Sequence, residues 1–230
     1  MNLEMLRFPE PLFNLIGGLE NGGITNFFGG PGTGKTNVCL ISTLECIKKG
    51  GTVIYIDSEG GFSAERVKQI AGLKEAAEDA FNKIKLLEPK TFQEQAKIIR
   101  ELENIETDLI VLDSAVALYR LEYADPKIEI LEANRELSKQ LATLSTYARE
   151  NRIPVLITAH TFKNWDTGEN DIVGGDSIKY WSKSMIFLEK TNKMGERKAT
   201  VVKHRSIPEG KETKFLIVEE GIKPSRFSLF

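Results

Sequence analysis

Eight residues near the start of the chain, GGPGTGKT, have the types and spacing of a loop that holds phosphate groups. Glycines let the backbone N–H groups turn toward phosphates, and the helix that follows such a loop directs its positive end at them. In this pattern the lysine reaches the β- and γ-phosphates and the threonine hydroxyl ligates Mg²⁺. A chance glycine turn is the alternative, but an apolar strand precedes the loop and a helical pattern follows it. The expected cofactors are therefore ATP and Mg²⁺, and the candidate binding residues are Gly29, Gly30, Pro31, Gly32, Thr33, Gly34, Lys35, Thr36 and Asn37.

Two carboxylates follow apolar runs and are candidates for chemistry at the phosphates. Asp113 ends the run LIVLD, where it would help hold Mg²⁺ together with Thr36. Its alternative role is a helix N-cap, in which aspartate is common. Glu59 comes just after the run TVIYID, and its carboxylate could activate a water in line with the γ-phosphate. A solvated turn residue is the alternative for Glu59.

Apolar runs alternate with helical patterns through the first two thirds of the chain, which indicates strands joined by helices. Later runs, MIFLEK, KATVVKH and TKFLIVEE, follow each other without long helices and predict an antiparallel extension of the sheet. The expected fold is α/β, with a mostly parallel sheet flanked by helices and a ligand at the carboxyl ends of its strands. The predicted strands of the first part are Ile24–Phe28, Thr52–Asp57, Asp108–Ser114 and Ile153–His160.

One long helical segment, IEILEANRELSKQLATLSTYAREN, has apolar residues at three-and-four spacing, which predicts one face packed on the sheet. The predicted core positions of this helix are Leu131, Leu137, Leu141, Leu144 and Ala148.

Composition narrows the class of protein. The 230 residues carry a net charge of −2, so the chain has no global basic field for non-specific nucleic-acid binding. Residues 1–230 are expected to form a single domain. Cys39 and Cys46 lie seven residues apart on one helix, which indicates core packing in a reducing compartment. No apolar run approaches the roughly 20 residues that cross a bilayer, so a cytoplasmic location is expected, without membrane contact.

Several segments occur in the order found in the RecA/RadA recombinase core: GGPGTGKT, YIDSEGGFSAERV, LIVLDSAVALYR, IPVLITAH and VGGDSIKYWSKSMIFLEK. The chain resembles this family of P-loop ATPases from about Leu12 to Ile222, and in particular its short archaeal RadA paralogues. The resemblance implies a RecA-like fold and assigns the catalytic glutamate to Glu59. It also implies that Arg66 packs beside the adenine.

His160 ends the predicted strand VLITAH at a position where full recombinases usually carry a glutamine that senses the γ-phosphate. A histidine can also donate to a phosphate, so His160 remains a candidate nucleotide contact. A polar residue that merely ends the strand is the alternative.

Two loops correspond to the DNA-binding loops of the resembled family. The first, ALYRLEYADPK, offers Arg120 and Lys127, and the second, TFKNWDTGENDIVGG, offers Lys163 and Trp165. Phosphate contact and base stacking need such residues, but the acidic residues in the loops oppose strong binding. Solvated loops are the alternative. We expect any DNA binding to be weak, salt-sensitive and directed at single strands.

The segment VVKHRSIPEG carries three basic side chains far from the phosphate loop. In KaiC-like relatives a K-x-R pair at this place reaches the γ-phosphate of a neighbouring subunit, which assigns that role to Lys203 and Arg205. Residues two apart on a strand point the same way, so both cations should aim at one spot while His204 faces away. Pro208 would lie near the neighbour's adenine. The prediction requires self-association across the ATP site, and a solvated basic turn is the alternative.

The resemblance implies an accessory role in homologous recombination and DNA repair. The chain shows neither the N-terminal helix-hairpin-helix domain of RadA nor its Phe-x-x-Ala polymerisation motif. We therefore expect a weak ATPase that acts with a RadA-type recombinase. Stimulation of the ATPase by DNA and a Holliday-junction nuclease as a further partner are additional expectations. A KaiC-like signalling ATPase or autokinase and a nucleotide-locked, non-catalytic adaptor are the alternatives.

Overall fold

The computed structural model describes residues 5–72, 81–124, 129–163 and 170–225. Its strands are β1 (Leu6–Arg7), β2 (Gly18–Leu19), β3 (Ile24–Gly29), β4 (Val53–Asp57), β5 (Ile84–Leu87), β6 (Leu109–Asp113), β7 (Val155–Lys163), β8 (Asn170–Ile172), β9 (Ser182–Lys190), β10 (Glu196–Lys203), β11 (Glu212–Val218) and β12 (Gly221–Pro224). Its helices are α1 (Leu12–Ile16), α2 (Lys35–Lys48), α3 (Ala64–Ala71), α4 (Phe92–Glu101), α5 (Ala117–Ala124), α6 (Ile130–Asn151) and α7 (Gly175–Trp181), with a 3₁₀ turn at Leu102–Asn104. No helix within these ranges has the length and apolarity that a bilayer span requires.

The main sheet has the strand order β12-β11-β10-β9-β3-β7-β6-β4-β5, and β8 pairs with β7. Strands β9, β3, β7, β6, β4 and β5 are mutually parallel, whereas β10, β11 and β12 continue the sheet in antiparallel pairs. The prediction of a parallel sheet with an antiparallel extension is confirmed. Strand β9 differs in detail, because it pairs with β3 in parallel. The short helix α7 returns the chain before β9, so β9 enters the sheet in the direction of β3.

Successive side chains of the buried strands point to opposite faces of the sheet, as the period of two in a strand requires. They therefore pack into two hydrophobic layers, one on each face. In β4, Ile54 and Ile56 pack with the α6 side of the sheet, whereas Val53 and Tyr55 pack with the α2 side. Cys39 is a buried free thiol of the α2 side, and so is Cys46, which confirms the interpretation of both cysteines as core residues.

The long predicted helix is α6, and it buries the expected face except at its start. Leu137, Leu141, Leu144 and Ala148 are buried, but Leu131 is 64% exposed, so its prediction as a core residue is wrong. The helix begins at Ile130, and its first turn lies outside the packed layer, because Ile130 is also exposed and burial begins at Ala133.

The parallel register places the carboxyl ends of four strands at one edge of the sheet. Gly29 at the end of β3 lies beside His160 of β7, and Asp57 at the end of β4 lies beside Asp113 at the end of β6. This edge therefore carries the phosphate loop together with the acidic residues that the sequence singles out.

Two leucines of α6 test this packing with one chemical change. Leu137→Ala should lower the free energy of unfolding by about 2–5 kcal/mol, because a buried leucine loses its transfer energy and leaves a cavity. Leu131→Ala should change it by less than about 0.5 kcal/mol, as is usual for exposed positions. Urea unfolding followed by circular dichroism measures both, and equal losses in the two variants would contradict the helix orientation.

Candidate nucleotide site

The loop Gly29–Thr36 leaves β3 and leads directly into α2, the arrangement that a phosphate-binding loop requires. Gly34 has a φ of 99°, and a β-carbon there would lie 2.9 Å from Cδ1 of Ile217. Both the left-handed backbone and the packing of β11 therefore demand glycine at this position. A cavity of about 300 Å³ opens over the loop, and it is lined by Pro31, Gly32, Thr33, Gly34, Lys35, Thr36, Asn37, Glu59, His160 and Ile217.

Lys35 lies over the loop and bonds to it. Its ammonium donates to the carbonyl oxygens of Gly29 and Gly30, each at 2.9 Å. An ammonium has three donors, so one remains for a phosphate oxygen. Burial lowers the pKa of Lys35, and the negative charges of Glu59 and Asp113 oppose that effect.

Asp113 is buried beneath the loop at the end of β6. Its carboxylate accepts hydrogen bonds from the Thr158 hydroxyl at 2.5 Å and from the Tyr55 hydroxyl at 3.1 Å. Burial raises the pKa of Asp113, although hydrogen bonds from Thr158 and Thr36 act in the opposite direction. Tyr55 and Thr158 were not predicted as site residues, because each looks like an ordinary core residue in its strand.

Thr36 and Asp113 fit the Mg²⁺ role that the sequence predicts. A β-carbon at Gly61 would lie 3.4 Å from Thr36 Oγ1 and 4.0 Å from Asp113 Oδ2, so the hydroxyl and the carboxylate border the same space. Oxygen donors of this kind suit Mg²⁺, which is usually held by few protein groups together with substrate phosphates and water. Within the described ranges, no cluster of three or more His, Cys, Asp or Glu could hold a metal by itself.

Asp57 shapes the loop that carries Glu59, and sequence reasoning missed it. Its Oδ1 accepts the backbone N–H groups of Glu59, Gly60 and Gly61 at 2.8–3.1 Å, and its Oδ2 accepts that of Phe62 at 2.8 Å. An aspartate that ends a strand just before a glycine-rich turn is the signal for such a role, because its side chain can bind backbone groups a few residues on. The position of Glu59 therefore depends on a buried neighbour.

Glu59 meets His160 at the mouth of the cavity. The Nε2 atom of His160 lies 2.7 Å from Oε1 of Glu59. Burial by itself raises the pKa of Glu59, but the hydrogen bond and charge of His160 and the charge of Lys35 outweigh burial, so the pKa is lowered. The predicted contact of His160 with nucleotide stays a prediction, and its contact in this structure is the Glu59 carboxylate.

Arg66 lies beside the phosphate loop without lining the cavity. Its guanidinium donates to Oδ1 of Asn37 at 2.9 and 3.0 Å, and to the carbonyl oxygens of Val218 and Glu219 at 2.7 and 2.8 Å. The Ser63 hydroxyl caps α3 by accepting the N–H of Arg66. Arg66 thus ties α2, α3 and the β11–β12 turn together, and its contact with adenine stays a prediction.

Comparisons with known proteins agree with this geometry. A profile of the Rad51 family matches residues 12–225. The DNA repair and recombination protein RadB of Methanobrevibacter smithii is 42% identical over 217 residues, which cover 90% of each chain. That of Methanococcoides burtonii is 42% identical over 224 residues, which cover 96% of this chain and 97% of the relative. This chain belongs to the RadB branch of the Rad51 family.

A solved structure supports the same conclusion. The crystal structure of the RadB recombinase matches with a TM-score of 0.80 and 31% identity, covering 94% of this chain and 97% of that one. The RecA-like fold and the resemblance to short RadA paralogues are therefore confirmed for this RadB-family chain.

Lys203 and Arg205 of this RadB-family chain lie away from its own phosphate loop. Strand β10 runs antiparallel to β9, so it ends at the edge of the sheet opposite the phosphate loop. Arg205 lies near the start of β3 at that edge, because a β-carbon at Gly23, just before β3, would lie 4.0 Å from Arg205 Nη2. Any contact of Arg205 with a nucleotide therefore requires another subunit, and that contact stays a prediction. Pro208, which is exposed, lies three residues further on.

The expected orientation of these basic side chains is wrong in one respect. Strand β10 ends at Lys203, so the alternation of a strand does not extend to Arg205. The Lys203 ammonium donates to the carbonyl oxygen of Lys179 at 2.7 Å, whereas Arg205 Nε lies 3.5 Å from the Glu20 carboxylate. His204 does not face away from Arg205, because its Nε2 lies 3.7 Å from the same carboxylate.

The predicted DNA contacts are only partly visible. Arg120 is exposed on α5, and Lys163 is exposed at the end of β7. Neither residue lines the phosphate cavity. Lys127 and Trp165 lie outside the described residues.

The lowered pKa of Glu59 predicts a pH-dependent contribution to stability. The part of the difference in unfolding free energy between the wild type and Glu59→Gln that comes from this shift should be fully present just above the ordinary glutamate pKa of 4.5. It should shrink as the pH falls through the lower pKa of the folded state, because protonation there removes the interaction of the carboxylate with His160 and Lys35. Denaturant titrations at a series of pH values measure this difference.

Glu65→Gln is the matched control, since Glu65 is exposed on α3 and the substitution removes the same charge. A Glu59→Gln difference that follows the control at every pH would contradict the predicted stabilisation of the ionised carboxylate.

Proposed function

We propose that this RadB-family protein binds ATP with Mg²⁺, hydrolyses it slowly, and acts as an accessory factor in homologous recombination and DNA repair. Members of the Rad51 and RecA family are ATPases, and its curated RadB relatives are DNA repair and recombination proteins. The observation that carries the proposal is the convergence of Lys35, Thr36, Glu59 and Asp113 on the space around the cavity of about 300 Å³ over the glycine-rich loop.

The glycine-rich loop would supply the groups that bind the phosphates. Backbone N–H groups of Gly30 and of Gly32 to Thr36 would hold the β- and γ-phosphates, and the N-terminus of α2 would add its dipole. Lys35 would offer its remaining donor to a phosphate oxygen. Thr36 and Asp113 would hold Mg²⁺, which neutralises charge on the phosphates when bound.

Glu59 would serve as the base. Its carboxylate is ionised at neutral pH, as that of an ordinary glutamate is, so it can accept a proton from a water that attacks the γ-phosphate. The lowered pKa of Glu59 makes it a weak base, since a catalytic base works best with a pKa near the working pH. His160 would orient the carboxylate through the 2.7 Å contact. A weak base of this kind is consistent with the slow hydrolysis that we propose.

A neighbouring subunit would supply the missing cations. Lys203 and Arg205 approach the edge opposite their own phosphate loop, where they would act on the nucleotide of another subunit as an arginine finger does. Pro208 would then lie near that neighbour's adenine. Hydrolysis would be fastest where subunits or partners meet.

Partners follow from the family and from charge. A RadA-type recombinase is the proposed principal partner, and a Holliday-junction nuclease is a further one. Single-stranded DNA would bind weakly through Arg120, Lys127, Lys163 and Trp165. The net charge of −2 supports weak and salt-sensitive binding.

A nucleotide-locked adaptor is the second candidate. The contact between His160 and Glu59 favours it, because the proposed base is already engaged by a side chain in the cavity. In that case nucleotide binding alone would set the conformation that partners recognise.

Two substitutions separate catalysis from binding. Glu59→Gln should slow ATP hydrolysis about a hundredfold or more, the usual effect of removing a general base, while ATP affinity stays nearly unchanged. Lys35→Ala should abolish binding of a fluorescent ATP analogue, because it removes the ammonium that reaches the phosphates. Unchanged hydrolysis in Glu59→Gln would contradict the base assignment. Recombinase binding that survives Glu59→Gln but not Lys35→Ala would favour the adaptor.

The ATPase rate per subunit should rise with protein concentration from nanomolar to micromolar, because the cations in trans become available only on association. Arg205→Met should remove that rise, while Arg135→Met, which removes the same charge from the exposed surface of α6, should not. Coupled ATPase assays with light scattering at each concentration measure both quantities. A flat rate with unchanged mass would rule out the trans contact.

A further inference from the structure

The hairpin of β9 and β10 touches the phosphate loop from outside the cavity. Half-buried Arg197, near the start of β10, donates from Nε to the carbonyl oxygen of Gly32 at 3.0 Å. The same guanidinium donates from Nη1 to the carbonyl oxygen of Glu196 at 2.9 Å. Arg197 is not among the residues that line the cavity, so it holds the loop from its outer side.

Lys190, at the end of β9, lies against the same glycine. A β-carbon at Gly32 would lie 3.2 Å from the Lys190 ammonium. The side chain is exposed, and no carboxylate in the described part of the chain forms an ion pair with it. Two cationic side chains thus flank one peptide of the loop, and the charge of Lys190 is not neutralised locally.

The end of the hairpin is held in a fixed form by Glu196. Its buried carboxylate accepts a hydrogen bond from the Thr191 hydroxyl at 2.8 Å and another from the Ser225 hydroxyl. It also lies 3.7 Å from the Lys193 ammonium. Arg197 therefore follows a residue whose side chain is fixed by three contacts, which favours a defined position of Arg197 against the loop.

The bond to Gly32 has a consequence inside the cavity. A trans peptide group points its C=O and N–H in opposite directions. A Gly32 carbonyl held toward Arg197 therefore directs the Thr33 N–H away from the hairpin. The loop is further fixed by the Thr33 hydroxyl, which donates to the carbonyl oxygen of Gly30 at 2.9 Å.

We propose that Arg197 is a positioning residue for the polyphosphate of a nucleoside di- or triphosphate, and that Lys190 adds to the positive potential at the same loop. This inference rests on the proposed nucleotide binding and adds cations from the chain's own hairpin. Arg197 fixes the peptide that presents the Thr33 N–H, so its effect falls on affinity for ATP and ADP alike. It is separate from the proposed trans role of Lys203 and Arg205, which concerns the rate in assemblies.

The test compares Arg197→Met with Lys198→Met by fluorescence titration of labelled ADP and a non-hydrolysable ATP analogue at nanomolar protein. Lys198 is the next residue of β10, and it pairs with Glu189 and Glu212 instead of the loop. Both variants lose one positive charge. Arg197→Met should weaken both nucleotides about fivefold, the value of one typical hydrogen bond, and Lys198→Met should leave both affinities unchanged. Equal affinities in the two variants would overturn the inference.

Further readouts separate positioning from a general loss of structure. Arg197→Gln, which can still donate a hydrogen bond, should recover part of the affinity, and kcat at saturating ATP should remain that of the wild type while KM rises. The melting temperature without nucleotide should match that of Lys198→Met. A lower melting temperature without a change in nucleotide affinity would overturn the inference. Wild-type protein that fails to bind nucleotide would overturn the proposed function itself, whereas normal wild-type binding that is lost in Lys35→Ala and unaffected in Arg197→Met would overturn only the inference.

Discussion

Parallel pairing of the central strands is the constraint on which the candidate site depends. Because β3, β7, β6 and β4 run in the same direction, their carboxyl ends meet at one edge. The register sets Gly29 beside His160 and Asp57 beside Asp113. Residues that are distant in the chain therefore surround one loop. The N-terminus of α2, which follows this loop directly, completes the candidate phosphate site. A shift of one residue in this register would turn each strand's side chains to the other face.

Burial makes the charges at this edge interdependent. Asp113 is 2% exposed and Asp57 is 3% exposed, so each carboxylate needs fixed hydrogen-bond donors. Asp113 receives them from Thr158 and Tyr55, and Asp57 receives them from the backbone of the loop that follows it. The loop is held in place by this requirement, which in turn sets Glu59 within reach of His160. The acidic side chains thus organise the structure around the cavity as well as its electrostatics.

The antiparallel part of the sheet gives the molecule two different ends. Strand β10 carries Arg197 near its start, against the phosphate loop, and ends with Lys203 toward the opposite edge. In an isolated subunit the basic side chains at and just beyond that end have partners of their own, the carbonyl oxygen of Lys179 for Lys203 and the Glu20 carboxylate for Arg205. A contact in trans would have to exchange these partners for a nucleotide. The two-residue spacing of Lys203 and Arg205 in the sequence does not reveal these partners. The interpretation of that spacing places both residues on one strand, but β10 ends at Lys203.

The sequence alone determined the phosphate loop, the strand-ending Asp113, the mostly parallel fold and the resemblance to the RecA/RadA recombinase core. Each of these depends on local spacing, on hydrophobic period or on motif order, which are properties of the chain itself. Only the tertiary structure decided that His160 meets Glu59, that Arg197 contacts Gly32 and that Leu131 is exposed. Those facts depend on register between distant strands and on where a strand or helix ends. Packing sets both, and no local pattern of residues encodes them.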